Sequence, residues 1–179
     1  MKATGIVRRI DDLGRVVIPK EIRRTMRIRE GDPLEIYTDS DGEVIFKKYS
    51  LIGELSPFAA QYAEVLYKNT GTPTVVCDKD HVIAVAGLPK REALERRVSH
   101  SLETLMESRS EYIASKDKEK MNPVEGLDRS ALVAYPVISS GDVVGAVMLL
   151  ANESTSSPTD AEIKLTQVAA AFLGKQMEE

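Results

Sequence analysis

Arginine gathers at one end of this chain. Between Arg8 and Arg29 stand eight basic residues (Arg8, Arg9, Arg15, Lys20, Arg23, Arg24, Arg27 and Arg29) against three acidic ones (Asp11, Asp12 and Glu21). Seven of the eight are arginine, whose planar fork matches a pair of phosphate oxygens or the edge of a guanine, where lysine offers a point charge. The chemistry open to such a set is polyanion binding. The whole chain runs the other way, with 24 Lys+Arg, 28 Asp+Glu and a net charge of −4 over 179 residues. Residues 1–50 are net +2 and residues 51–179 net −6. That asymmetry suggests a basic head joined to a body with another task. Ion pairing competes for part of the set. Arg8 and Arg15 can pair with Asp11 or Asp12 across a turn, and Arg23 with Glu21 of a neighbouring subunit.

Other chemistry is thin. There is one cysteine, Cys77, and there are two histidines, His81 and His100, far apart in sequence. That excludes an intrachain disulfide framework and leaves no cluster at zinc-ligand spacing. Cys77 reads as a small buried hydrophobe in a strand, and both histidines as exposed. With no nucleophile–base pair, glycine-rich phosphate loop or acid cluster in view, neither an enzyme nor a cofactor or metal is expected. A composition of 42% hydrophobic and 29% charged residues is that of a globular protein. The longest nearly unbroken apolar run, residues 143–151, is nine residues against the ~20 that span a bilayer. The amino-terminal residues lack an apolar signal core. The expectation is a cytoplasmic, nucleoid-associated protein with no membrane partner.

The elements that position the arginines come in quick succession. Residues 6–10 read as a short strand, Leu13-Gly14-Arg15 as a turn and the β-branched Val16-Val17-Ile18 as a second strand. Pro19 suits a helix start, and Lys20 to Met26 makes a short helix with Ile22 and Met26 on one face and Arg23 and Arg24 turned away. Gly31-Asp32-Pro33 breaks the chain. Leu34–Tyr37 and Val44–Phe46 then alternate around Asp39-Ser40-Asp41-Gly42, a hairpin signal. Fifty residues of this kind cannot bury enough apolar surface to stand alone, so a two-fold dimer is expected, which also doubles the arginine set.

Thr4-Gly5-Ile6-Val7-Arg8, Asp12-Leu13-Gly14-Arg15-Val16-Val17-Ile18-Pro19, Glu21-Ile22-Arg23-Arg24 and the later Leu34–Tyr37 and Lys47-Lys48-Tyr49 resemble the DNA-binding domain of AbrB-like transition-state regulators. The resemblance covers nearly all of residues 1–50. It implies an interleaved homodimer of swapped hairpins that binds double-stranded DNA through Arg8, Arg15, Arg23 and Arg24, with Arg9 and Lys2 as adjacent candidates. Arg27 departs from the pattern, standing where relatives often have glycine after the helix. Gly14 and Pro19 read as shaping backbone.

The body starts near residue 53. Ser56-Pro57 reads as the start of a helix with Phe58, Tyr62, Val65 and Leu66 on one face. Residues 73–77 and 82–86 read as strands, 90–109 as a periodic helical stretch carrying Leu94, Val98, Leu102 and Leu105, and 115–130 as a polar loop near Tyr112. Residues 131–138 and 143–150 form a hairpin. Ser157-Pro158 leads into a final helix with Ala161, Leu165, Val168 and Phe172 on one stripe, and Ile163 and Ala170 opposite. The hairpin Tyr135–Ile138, Gly141 and Gly145–Leu149 is similar to the end of a GAF domain, a small-molecule sensor module whose first and last helices often pair between copies. No effector and no ligand residues are readable.

The fold class expected is therefore α+β: an AbrB-like swapped-hairpin β-barrel dimer over residues 1–52, then a GAF-like α+β domain with an antiparallel sheet over residues 53–179. The function expected is a DNA-binding transcription regulator, activator and repressor, that forms a dimer through the head and a tetramer through the body. The rival is an antitoxin-like protein-binding module, because the swapped hairpin also occurs there.

Overall fold

The computed structural model describes residues 4–152 and 157–178, which form two compact units dividing between Tyr49 and Ser50. In the first unit, a helix α1 (Lys20–Thr25) precedes an antiparallel hairpin of β1 (Leu34–Thr38) and β2 (Val44–Lys48), with Ile36 opposite Phe46. Pro19 holds the N-cap position, as its fixed φ favours. The hairpin loop closes through Asp39, whose Oδ1 accepts the amides of Asp41 (3.0 Å) and Glu43 (2.9 Å), while Gly42 takes the left-handed φ of 81° the turn requires. Residues 6–10 and 16–18 run without strand pairing, so the two strands expected there are absent from the single chain, and the described residues close no barrel. A lone pair of extended segments is marginal without a further strand beside it.

The second unit starts at once. Ser50 caps α2 (Leu51–Glu54), accepting the Gly53 amide at 3.0 Å, and Ile52 is fully buried. The helix α3 (Ser56–Thr70) follows, with Leu55 rather than Ser56 at the N-cap. The Ser56 hydroxyl instead donates to the Gly53 carbonyl at 2.5 Å. A five-stranded antiparallel sheet has the order β4 (Val82–Ala86), β3 (Thr74–Asp78), β7 (Asp142–Leu150), β6 (Ala131–Ser139), β5 (Tyr112–Ile113). Alternation along β3 divides the core: Val76 packs with Ala59, Ala63 and Leu66 of α3 on one face, and Val75 and Cys77 face the other. That other face is covered by α4 (Lys90–Ala93), α5 (His100–Glu107) and residues 121–127. The last helix, α6 (Asp160–Gln176), lies with α3 against the first face. No helix among the described residues is long and apolar enough to cross a membrane.

Three readings need correction. The periodic stretch 90–109 is two helices, not one. Glu95 takes a φ of 63°, and residues 95–98 turn back to bond the edge of β4, with Val82 N donating to Arg96 O at 2.9 Å, before Ser99 caps α5. The loop 115–130 is not merely solvated, since Met121, Pro123, Val124 and Leu127 are buried and the Tyr112 hydroxyl donates to the Glu119 carbonyl at 3.0 Å. In α6, the inward face is Glu162, Thr166, Ala169, Ala170 and Leu173, while Leu165, Val168 and Phe172 face outward. Likewise α3 buries Ala59, Ala63 and Leu66 and leaves Val65 exposed.

Glu162 is a buried carboxylate at the head of α6. Thr72, just past the α3 C-cap, donates to its Oε1 at 2.5 Å, and the amide and hydroxyl of Thr159 donate to Oε2 at 2.8 and 2.9 Å. This capping box also ties α6 to the end of α3. Burial alone would raise its pKa; three hydrogen bonds to the charged form outweigh that and hold it below the ordinary value. A depressed native pKa gives stability that is present above the unfolded pKa and lost as pH falls through the folded one. We expect Glu162→Gln to lose about 1–3 kcal/mol at neutral pH. It should also weaken the loss of stability between about pH 5 and pH 3, measured by urea unfolding. An unchanged acid limb would show that other groups set it.

Candidate nucleic-acid interface

The site is built from the first unit upward. Arg8 and Arg9 lie on the extended run before the turn 11–15, Arg15 closes that turn, and Arg23 and Arg24 occupy the last turn of α1. All five are exposed. The turn is a close copy of the hairpin loop. Asp11 Oδ1 accepts the amides of Leu13 (3.0 Å) and Arg15 (2.8 Å), Gly14 adopts φ 74°, and the Asp11 amide donates to Arg15 O at 3.1 Å. Lys2, the sixth candidate, lies outside the described residues.

Arg15 carries the one ion pair found among these candidates within the described residues, its Nε standing 2.8 Å from Asp11 Oδ2. The Arg15 amide and then its guanidinium hold the Asp11 carboxyl below the usual carboxylate range. Of the competing pairings, Arg15–Asp11 forms within the chain and Arg8–Asp11 does not. The guanidinium groups of Arg8, Arg9, Arg23 and Arg24 are left to solvent, where they can donate hydrogen bonds to the phosphate oxygens of a duplex.

What positions α1 was not legible as such. Lys48, at the end of β2, donates to the Arg27 carbonyl at 2.9 Å and stands 3.5 Å from Asp32, whose side chain is buried and also accepts the Arg29 amide at 2.8 Å. This clasp fixes the end of α1 to the hairpin. Arg27 itself has φ 51°, in the left-handed region that glycine enters without penalty, so the position suits glycine and the arginine holds it at a cost in backbone strain. The signal available in the sequence was the Gly31-Asp32-Pro33 break with a lysine downstream.

Among its described residues the unit buries none of its own apolar side chains fully. Val7 is 85% exposed, Val17 71%, Leu13 70% and Ile10 69%.

The second unit offers no comparable set. Cys77 is fully buried, and burial pushes its thiol well above the ordinary value, so it is no nucleophile. No group of three or more metal-ligating side chains occurs among the described residues. An open groove of about 440 Å³ runs between the end of α3 and the start of α6, lined by Asn69, Thr72, Asn152, Thr159, Glu162 and Leu165 among others. Among the described residues its one charged lining side chain, Glu162, is the carboxylate already engaged by Thr72 and Thr159. The apolar surface is more informative. Phe58, Tyr62 and Phe172 contact one another, with Tyr62 stacked on Phe172 at 5.5 Å between ring centroids, and Val168 beside them is 57% exposed.

Comparison with known proteins agrees with this division. Residues 54–178 match the family described as stage V sporulation protein T C-terminal, transcription factor. Residues 7–51 match the family described as antidote-toxin recognition MazE, bacterial antitoxin. Stage V sporulation protein T of Bacillus subtilis is 50% identical over 181 aligned positions, covering the whole of both chains. Transition state regulatory protein AbrB of the same organism is 65% identical over 49 residues, 27% of this chain and 50% of that protein. A GAF domain/HD domain protein from Geobacter sulfurreducens superposes with a TM-score of 0.50 at 17% identity, over 74% of this chain and 99% of that one, and shows the fold of the second unit.

Proposed function

This chain belongs to the stage V sporulation protein T family of transcription factors, and on that premise we propose that it grips duplex DNA as a dimer through Arg8, Arg15, Arg23 and Arg24. Arg9 and Lys2 are adjacent candidates and are not counted among these contacts. The observation that carries the reading is a unit, residues 1–49, that leaves these arginines exposed and none of its described apolar side chains fully buried. A second copy supplies the missing core, and the two-fold axis sets two arginine groups on one face for the phosphates of a duplex.

Four arginines per chain make eight per dimer, so log affinity should fall against log salt with a slope of roughly −7 when all meet phosphate. Arg23→Ala and Arg24→Ala should each flatten it by about two per dimer while leaving the oligomer intact. Fluorescence anisotropy of the full chain on a labelled duplex, from low to high salt, measures both. A slope unchanged in both variants would place these side chains away from DNA.

The GAF-like body acts by binding rather than catalysis. It joins two dimers into a tetramer through the exposed apolar face of α3 and α6, and any effector acts by favouring one arrangement of the heads. Activation and repression then differ by where the site lies in a promoter, and the protein works in the cytoplasm on the nucleoid. The match of residues 7–51 to an antitoxin family supports a second reading, a protein-binding head. Affinity capture with the full chain separates them: one stoichiometric protein partner, with no DNA binding at low salt, would favour the second.

A further inference from the structure

The chain contains the same five-residue loop twice, and the difference between the copies points to a role for one carboxylate oxygen. In Asp11-Asp12-Leu13-Gly14-Arg15 and in Asp39-Ser40-Asp41-Gly42-Glu43, the leading aspartate uses Oδ1 alone to accept the amides two and four residues on. In both, the fourth residue is a glycine of positive φ, 74° and 81°, whose amide donates to the aspartate carbonyl at 3.0 and 3.4 Å. The second loop therefore shows that closing the turn needs nothing from Oδ2. In the first loop Oδ2 is engaged, accepting Nε of Arg15 at 2.8 Å.

That contact takes the guanidinium nitrogen nearest the main chain. The terminal fork, the two Nη groups that would meet a phosphate or a guanine edge, makes no hydrogen bond among the described residues. The side chain is otherwise highly exposed, 69%. A free arginine there samples many rotamers, and each must be given up on binding. We infer that Asp11 is a positioning residue for DNA recognition, its Oδ2 holding Arg15 with the fork outward. The inference rests on the proposal that Arg15 meets DNA.

Electrostatics and positioning predict opposite signs, which makes the idea testable. Removing a negative charge beside a polyanion tightens binding to any duplex. Removing a positioning contact loosens binding to the preferred duplex in particular. Asp11→Asn keeps the Oδ1 acceptor, and hence the turn, but puts an amide NH₂ where Oδ2 received Nε. Asp39→Asn makes the same change in charge on the matching loop and serves as control. The probes are a duplex recovered by affinity selection from a random pool and a random-sequence duplex of equal length, each titrated with the full chain.

We expect Asp11→Asn to lower the ratio of selected to random affinity by about tenfold, and Asp39→Asn to leave it within about twofold. Asp11→Ser, which keeps one oxygen for the turn amides and has none left for Nε while leaving the Arg15 fork in place, should resemble Asp11→Asn. In an Arg15→Ala background Asp11→Asn should have no further effect on the ratio. The inference is overturned if Asp11→Asn behaves like Asp39→Asn, or if its effect persists without Arg15. If Arg15→Ala itself binds as the parent does, the DNA contact beneath the inference has failed and the inference falls with it. Far-ultraviolet circular dichroism of each variant guards against misfolding, and the Asp11→Ser arm stands should Asp11→Asn not fold.

Discussion

Replacing Gly174 with alanine is expected to destabilise the C-terminal unit by about 3 kcal/mol or more, the upper range for overpacking a rigid contact. The reason is one close approach. A Cβ built at Gly174 runs into the main-chain carbonyl of Ile138, deep inside contact distance, so β6 and α6 cannot keep their present separation. Backbone preference opposes the loss by about 1 kcal/mol, because Gly174 lies in ordinary helical geometry within α6, where alanine is the better residue, and the clash must exceed that gain. The obstacle is also main chain rather than a side-chain tip, so nothing local can swing aside. Gly145 is the companion case, its Cβ position meeting the Cys77 carbonyl where β7 pairs with β3. Gly141 is the contrast, with open space around it but a φ of 85°, so alanine there meets only backbone strain of about 1–2 kcal/mol. Urea unfolding of the three variants should rank Gly174 and Gly145 well above Gly141. A Gly174→Ala chain within about 0.5 kcal/mol of the parent would mean that helix and strand can part at little cost.

That glycine also shows where the sequence was legible and where it was not. The β1–β2 hairpin could be read because Asp39 and Gly42 act locally, through hydrogen bonds to residues two and four positions away. The short α1 after Pro19 is local in the same sense. The five candidate arginines that the structure describes are all exposed. Helical spacing in α6 was likewise readable, but spacing says only which residues share a face and not which face turns inward. Hydrophobicity alone favours Leu165, Val168 and Phe172 as core. The structure instead turns Ala169, Ala170, Leu173 and Gly174 inward, and at Gly174 the helix comes so close to β6 that no side chain fits. Glu162 is buried beside them with Thr159 three residues before it and Thr72, ninety residues earlier, at its carboxylate, and the second of these partners is not local. The break of 90–109 into two helices has the same origin, since residues 95–98 follow the open edge of β4 rather than their own periodicity. The role of Asp11 was hidden for a different reason. A carboxylate among arginines reads as a competitor for them, and its geometry decides otherwise.

The outward stripe of α6 leads to the second large effect. Val168→Lys is expected to split the assembly into dimers and to weaken binding to a long duplex carrying two sites by about 100-fold. A short duplex holding one site should be bound as before. Val168 is 57% exposed in the single chain, so lysine there meets water and the fold survives, unlike a charge placed at buried Ala169. In an assembly where α3 and α6 of two copies face each other, the same lysine is desolvated without a partner. Phe172→Lys should act in the same direction but also removes the ring contacts with Phe58 and Tyr62, so Val168→Lys is the cleaner probe. The size of the effect follows from linkage. Two heads joined through their bodies bind the second site within one molecule, at an effective concentration far above that free in solution. Separated dimers lose that advantage and keep every contact with DNA. Sedimentation velocity and anisotropy on the two duplexes therefore read one cause twice. Dimers with undiminished affinity for the long duplex would show that each head acts alone, and a tetramer that survives Val168→Lys would place the joining surface elsewhere on the body.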